Sequence, residues 1–168
     1  MPRTSYHTPS YVKSQSELSL PPVLTPSHLA VIRAYADVPE EPERRQEHGQ
    51  AILDVLNAAH GLPACALVVA DRRQTHRRSG TRLVQKTYGY YRGVFANGTF
   101  QRGAIRIYHR TAVREQPIAP GVFFSTLLHE WVHHYDYTGL KLFRSYHTAG
   151  FYSRIRHLSD TIHPGTGS

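Results

Sequence analysis

Apolar residues along this chain fall into three regimes, and each predicts a different kind of element. From Met1 to Ser27 they are sparse, with only Leu18, Leu20, Val23 and Leu24 clustered among Ser, Thr and Pro; this composition predicts a disordered arm. Ser27 is placed to cap a short helix over His28–Ala36, which the Pro39–Pro42 stretch breaks before a second helix begins. Glu40, Glu41 and Glu43 suit the positive end of that second helix, Ile52, Leu53, Val55 and Leu56 give it an apolar face, and Gly61 and Pro63 stop it. Ala64–Ala70 reads as a buried strand. Leu83–Ala96 and Thr99–Arg110 then read as strands joined by Asn97-Gly98, a dipeptide suited to the positive φ angles of a tight hairpin. Within the second strand Ile105 and Ile107 alternate with Arg106 and Tyr108, so one face packs and the other stays wet. The period changes again after Pro117, Pro120 and Gly121. Phe124, Leu127, Leu128, Trp131 and Tyr135 recur at helical spacing over Val122–Tyr137, Gly139 marks the end, and a last helix is expected over Ala149–Leu158. The order predicts an α+β domain over residues 28–160: N-terminal helices, a short antiparallel sheet or hairpin, and two C-terminal helices. Residues 1–27 form the arm and 161–168 a flexible tail.

Composition adds exclusions. With 168 residues, 40% of them hydrophobic, the chain can bury one core. Its lone Cys65 removes any internal disulfide framework or cysteine-based zinc ribbon. The longest uncharged apolar stretch, Gln116–Leu128, contains two prolines and a glycine, so no membrane span is expected. The N-terminal arm lacks the apolar centre of a signal peptide, and a cytoplasmic location is expected. The net charge of +8 is unevenly placed: Met1 to Asp71 carries five basic and eight acidic residues, whereas Arg72 to Arg114 carries eleven basic residues and no acid. That block suits DNA or another polyanion, or else forms a solvated basic hairpin without a partner.

Chemistry concentrates on the first C-terminal helix, in His129-Glu130-Trp131-Val132-His133. Residues four apart stack on one helix face, so two imidazoles there can take adjacent corners of a zinc tetrahedron. Glu130 lies about 100° around the helix, displaced from the metal yet able to reach a water bound to it. A catalytic zinc site needs a third protein ligand and one open position. Glu130 is the last glutamate of the chain, which leaves Asp136, Asp160 and the histidines at 134, 147, 157 and 163. His134 is turned away from His133, and His163 lies in the Gly/Thr/Ser tail. His147 aligns with Phe151, Ile155 and Leu158, the apolar stripe of the last helix, whereas His157 falls on its flank. His147 is therefore the expected third ligand. Asp136 shares the face of His129 and His133, where it either ligates directly or, as is expected here, holds an imidazole N–H or a neighbouring loop, since three ligands from one straight helix converge poorly. Tyr152, near His147, is the aromatic candidate for steadying an oxyanion.

The hairpin through Ile105-Arg106-Ile107, then Leu127-Leu128-His129-Glu130-Trp131-Val132-His133, then His147-Thr148-Ala149-Gly150-Phe151 resembles a SprT-like zinc metalloprotease domain over roughly residues 83 to 158. The resemblance implies a small zincin-like α+β domain with the third histidine on or just before the next helix. The expected function is a zinc-dependent endopeptidase acting on a protein or peptide, with His129, His133 and His147 as metal ligands and Glu130 as the general base. The hairpin is expected to offer an edge strand to an extended substrate, on the alternation from Ile105 to Tyr108. The other reading is a non-catalytic nucleic-acid-binding module with a structural metal site. Glu130 separates the two, because a purely structural zinc needs no carboxylate beside it.

Overall fold

A computed structural model describes residues 8–79, 82–142, 144 and 147–165. The chain runs through helices α1 (Pro9–Ser16), α2 (Pro26–Arg33) and α3 (Pro42–His60), strands β1 (Cys65–Arg73), β2 (Thr75–Ser79), β3 (Arg82–Thr87), β4 (Gly89–Ala96) and β5 (Thr99–Arg110), and helices α4 (Pro120–Thr138) and α5 (Ala149–Ile162). The α+β class is as the pattern predicts. Among the described residues no helix is long and apolar enough to cross a membrane.

Local chemistry sets the element ends. Thr25, rather than Ser27, caps α2: its side chain accepts from the His28 N–H while His28 Nδ1 accepts from the Thr25 N–H, and Pro26 fills the first helical position. Gly61, at φ 65°, closes α3 in the left-handed conformation. Asn97 and Gly98 both have positive φ, 50° and 75°, and turn β4 into β5 as expected. The long strand read over Leu83–Ala96 is two strands, because β3 pairs with β2 in a separate hairpin and β4 pairs with β5.

The main sheet has the order β1-β5-β4, with β1 parallel and β4 antiparallel to β5. It is mixed rather than wholly antiparallel, because β1 leaves α3 and returns alongside the far strand of the later hairpin. β5 is therefore the central strand, and its Ile105–Tyr108 segment has no free edge to offer. The two real edges differ. Along β1, side chains of α3 take the place of a further strand: Gln50 accepts from the Leu67 N–H at 2.8 Å and donates to the Cys65 carbonyl at 2.8 Å, and Gln46 accepts from the Val69 N–H at 3.0 Å. The outer edge of β4 pairs with no strand among the described residues.

Helix α4 lies across the core face of the sheet and is buried on most of its circumference, with Leu127, Trp131 and Val132 fully buried. Trp131 Nε1 donates to Asn57 Oδ1 of α3 at 2.8 Å, so the largest core side chain keeps its one polar atom paired.

Both chain ends depart from expectation. Residues 8–27, read as a disordered arm, include α1 and pack against α5. Arg154 of α5, fully buried, donates from Nε and Nη2 to Asp136 of α4 at 3.0 and 2.8 Å and from Nη1 to the Ser14 and Glu17 carbonyls. Leu20 is buried in the core, and its N–H donates to His157 Nδ1 at 3.1 Å. Only glycine fits at position 150, since a Cβ there would collide with the Ser14 carbonyl oxygen. The expected tail begins too early, because Thr161 and Ile162 complete α5 and Ile162 is fully buried beneath Arg33, whose Nε caps its carbonyl at 2.6 Å. Residues 1–7 of the arm and 166–168 of the tail lie outside the described residues.

Removing one member of the Arg154–Asp136 pair leaves a buried charge uncompensated. Arg154→Ala is expected to lower the unfolding free energy by about 3–5 kcal/mol, measured by urea titration. A loss under about 1 kcal/mol would show that the pair adds no more than an exposed one.

Candidate metal centre

The three expected ligands converge. His129 and His133 stand one turn apart on α4, while His147 comes from the segment that enters α5. One ligand nitrogen from each lies within 4.8 Å of the others, and the rings of every pair have centroids 5.0 Å apart. Rigid surroundings hold this arrangement. Buried Leu127, Leu128, Trp131 and Val132 fix the rotation of α4, and Phe151 stacks on the His133 ring at 4.6 Å. Thr148, next to His147, caps α5 by accepting from the Phe151 N–H at 3.0 Å and shares a hydrogen bond of 2.9 Å with Ser14. Gln15 of α1 accepts from the Ala149 N–H at 3.0 Å. The N-terminal segment thus fixes the backbone on which the third histidine sits.

Electrostatics favour neutral imidazoles. Burial, followed by the neighbouring His147, pushes His129 down to about 4; burial, then His129 and His147, pushes His133 down to about 3. Neutral rings present lone pairs at ordinary pH, the form that binds metal. In a tetrahedral zinc site with bonds of about 2.0–2.1 Å, ligand atoms lie roughly 3.3 Å apart. His133 Nε2 and His147 Nε2 are 3.0 Å apart, within a few tenths of an ångström of that edge. Three imidazole nitrogens suit zinc and the neighbouring transition metals, so this donor set fits a metal ion.

The three histidines line an open cleft of about 970 Å³, bounded also by Tyr88, by Gly89–Gly93 of β4, by Ser125, Thr126 and Glu130 of α4, and by Tyr137, Tyr152 and Ile155. Three ligands on one wall leave the solvent side of a bound ion accessible. Glu130 is 7% exposed, opens on the cleft and makes no hydrogen bond or ion pair among the described residues. Burial pushes its carboxyl up to about 7.

The remaining candidates have other tasks. His134 is fully buried, with Nδ1 2.8 Å from the Tyr91 hydroxyl and Nε2 2.8 Å from the Pro63 carbonyl, so it ties α4 to β4. His157 holds Leu20, and His163 Nε2 lies 3.1 Å from the Tyr35 hydroxyl. Asp136 fastens α5 through Arg154, and Asp160 is exposed on α5 away from the cleft. Tyr152 lines the cleft, its ring centroid 5.9 Å from that of His147. Sequence reasoning missed the tyrosines of β4, whose alternation with Gly89 and Gly93 was the available signal. It also missed α1, whose contacts are polar and leave no apolar period.

No family model, curated protein or solved structure matches this chain. The chemistry of the site therefore rests on its own geometry.

Acidification tests the neutral histidines. A group held below its ordinary pKa stabilises the fold fully above that ordinary value and progressively less as pH falls through the folded one. For His129 and His133 the window runs from 6.5 down to about 4 and about 3, and His48, His60, His109 and His134 are shifted the same way by burial. The metal-free protein is expected to melt at a lower temperature at pH 5 than at pH 7, and added zinc to raise the melting temperature at both, since His129 and His133 are already neutral in the folded chain at pH 5. A zinc shift that persists undiminished after His129→Ala and His133→Ala together would exclude these histidines as the binding groups.

Proposed function

We propose that the protein is a zinc-dependent endopeptidase with the arrangement of a SprT-like, zincin-type domain. The observation that carries this reading is Glu130: a carboxyl with no hydrogen bond or ion pair among the described residues, opening on the same cleft as three converging histidines. A structural metal site would be closed by a fourth protein ligand, whereas among the described residues this cluster has three and faces an open cleft beside a strand edge that pairs with no other strand.

In this reading His129, His133 and His147 hold the ion. Bound there, zinc supplies Lewis acidity, polarising a peptide carbonyl and acidifying the attacking water. Glu130 takes the proton from that water and delivers it to the leaving amine. Glu130 opens on the cleft beside the three histidines, which places its carboxyl for both halves of this transfer. The substrate rail is the outer edge of β4. The Tyr108 N–H bonds the Tyr88 carbonyl, so the alternation of an antiparallel ladder directs the backbone of Gly89, Tyr91 and Gly93 outward, where an extended peptide can pair with it. Tyr91 is steadied there by His134.

Glu130→Gln is expected to keep about one zinc per chain by metal analysis while peptide hydrolysis falls roughly a hundredfold or more. His147→Ala is expected to lose zinc and thermal stability together. Wild-type cleavage by a zinc-loaded Glu130→Gln protein would overturn the mechanism.

Gly93→Pro removes one outward N–H without taking a bond from the β4–β5 ladder. Slower cleavage with zinc content unchanged is expected; full turnover would exclude β4 as the rail.

A further inference from the structure

The histidine cleft changes character along its length. Strand β4 runs the same way as α4: a Cβ on Gly89 would lie 3.3 Å from Thr126 Cγ2, Tyr91 reaches His134, and Phe95 meets Tyr137 with ring centroids 6.4 Å apart. Helix α5 runs the opposite way. Phe151 stacks on His133, the Tyr152 ring lies 6.4 Å from that of His129, and His163, just past the end of α5, meets Phe124 near the start of α4. The three histidines therefore divide the cleft into two arms.

The arms differ in chemistry. Toward the start of α4 the walls are Val122, Tyr152 and Ile155, and with Val122 37% exposed and Tyr152 47% this is apolar surface that the fold itself leaves uncovered. Toward the end of α4 stand Arg92 and Tyr137. Arg92 lies about 10 Å along β4 from Gly89, and it has no ion pair or hydrogen bond among the described residues. The one carboxyl among the described residues that line the cleft is Glu130, which sits with the histidines between the arms.

We propose that the cleft selects an extended peptide with a large apolar side chain in the first arm and a carboxylate, paired with Arg92, in the second, the cleaved bond lying between them. This rests on the zinc-endopeptidase reading and adds the side chains of the substrate to it. An aliphatic or aromatic side chain in the first arm takes Val122 and Tyr152 out of water. A guanidinium at the rim without a counter-ion attracts an anionic residue and repels a cationic one. Because Tyr91 and Gly93 turn their backbone outward, Arg92 faces an antiparallel strand added to β4 at a position without backbone hydrogen bonds, where opposed side chains come closest.

Mass spectrometry of the fragments that the full zinc-loaded chain releases from a mixture of unstructured synthetic peptides tests it. Cleaved bonds are expected to carry Leu, Ile, Phe or Met within about three residues on one side and Asp or Glu within about three on the other. In a peptide that fits, exchanging the acid for lysine is expected to lower kcat/KM roughly three- to tenfold, and exchanging the apolar residue for alanine about tenfold. Arg92→Glu is expected to reverse the charge preference with zinc content unchanged, while Arg102→Glu, the same change outside the cleft, retains it. Val122→Asp is expected to weaken the apolar preference alone. The proposal is overturned by cleavage without these preferences, or by a charge preference that survives Arg92→Glu. Cleavage confined to peptides with a free rather than an amidated C-terminus overturns it as well, assigning Arg92 to a terminal carboxylate. Absence of hydrolysis of every peptide overturns the endopeptidase reading, and this proposal with it.

Discussion

Arg154 reaches Asp136 through two hydrogen bonds and gives its other donors to the carbonyls of Ser14 and Glu17 and to the Ser14 hydroxyl. Two charges withdrawn from water are tolerated only when each finds its partner and the remaining donors are satisfied. Meeting that condition brings three remote segments together: the helix bearing His129 and His133, the helix that follows His147, and the chain's first helix. The closeness of α5 to α4 is what allows a histidine on the entry to α5 to face two on α4. The metal-binding geometry is thus a consequence of how an arginine is solvated by protein.

Features governed by local rules were legible in the sequence. Asn97-Gly98 gave the turn, the four-residue interval gave two imidazoles on one face, and the stripe from Phe151 to Leu158 pointed to His147. Features that depend on distant partners were hidden. Polar side chains such as Ser14 and Gln15 pack through single hydrogen bonds, so a segment that folds against Arg154 has the composition of one that does not fold. Parallel pairing of β1 with β5 likewise leaves no mark on either strand, because both bury one face whichever direction they run. The break at Tyr88 was invisible for a related reason: β3 and β4 share strand-forming composition but have different partners.

The site also runs against the interest of the fold. Glu130 sits where a carboxyl resists ionisation, and His129 and His133 sit where imidazoles resist protonation. Departures of this kind gather where groups must exchange protons or bind ions. They are tolerated here because α4 is clamped on most of its circumference, by Trp131 bonded to Asn57 and by the sheet packed on its other flank.

The glutamines along β1 have a less obvious effect. By filling backbone bonds that a neighbouring strand would make, Gln46 and Gln50 leave the sheet able to grow in one direction only. Among the described residues no strand pairs with the outer backbone of β4, whereas Gln46 and Gln50 occupy that of β1. Backbone recognition is indifferent to sequence, and a protein with two open edges would collect strands at both. On the proposed reading that indifference is confined to the border of the histidine cleft, and two amide side chains on the far side of the sheet set which edge stays open.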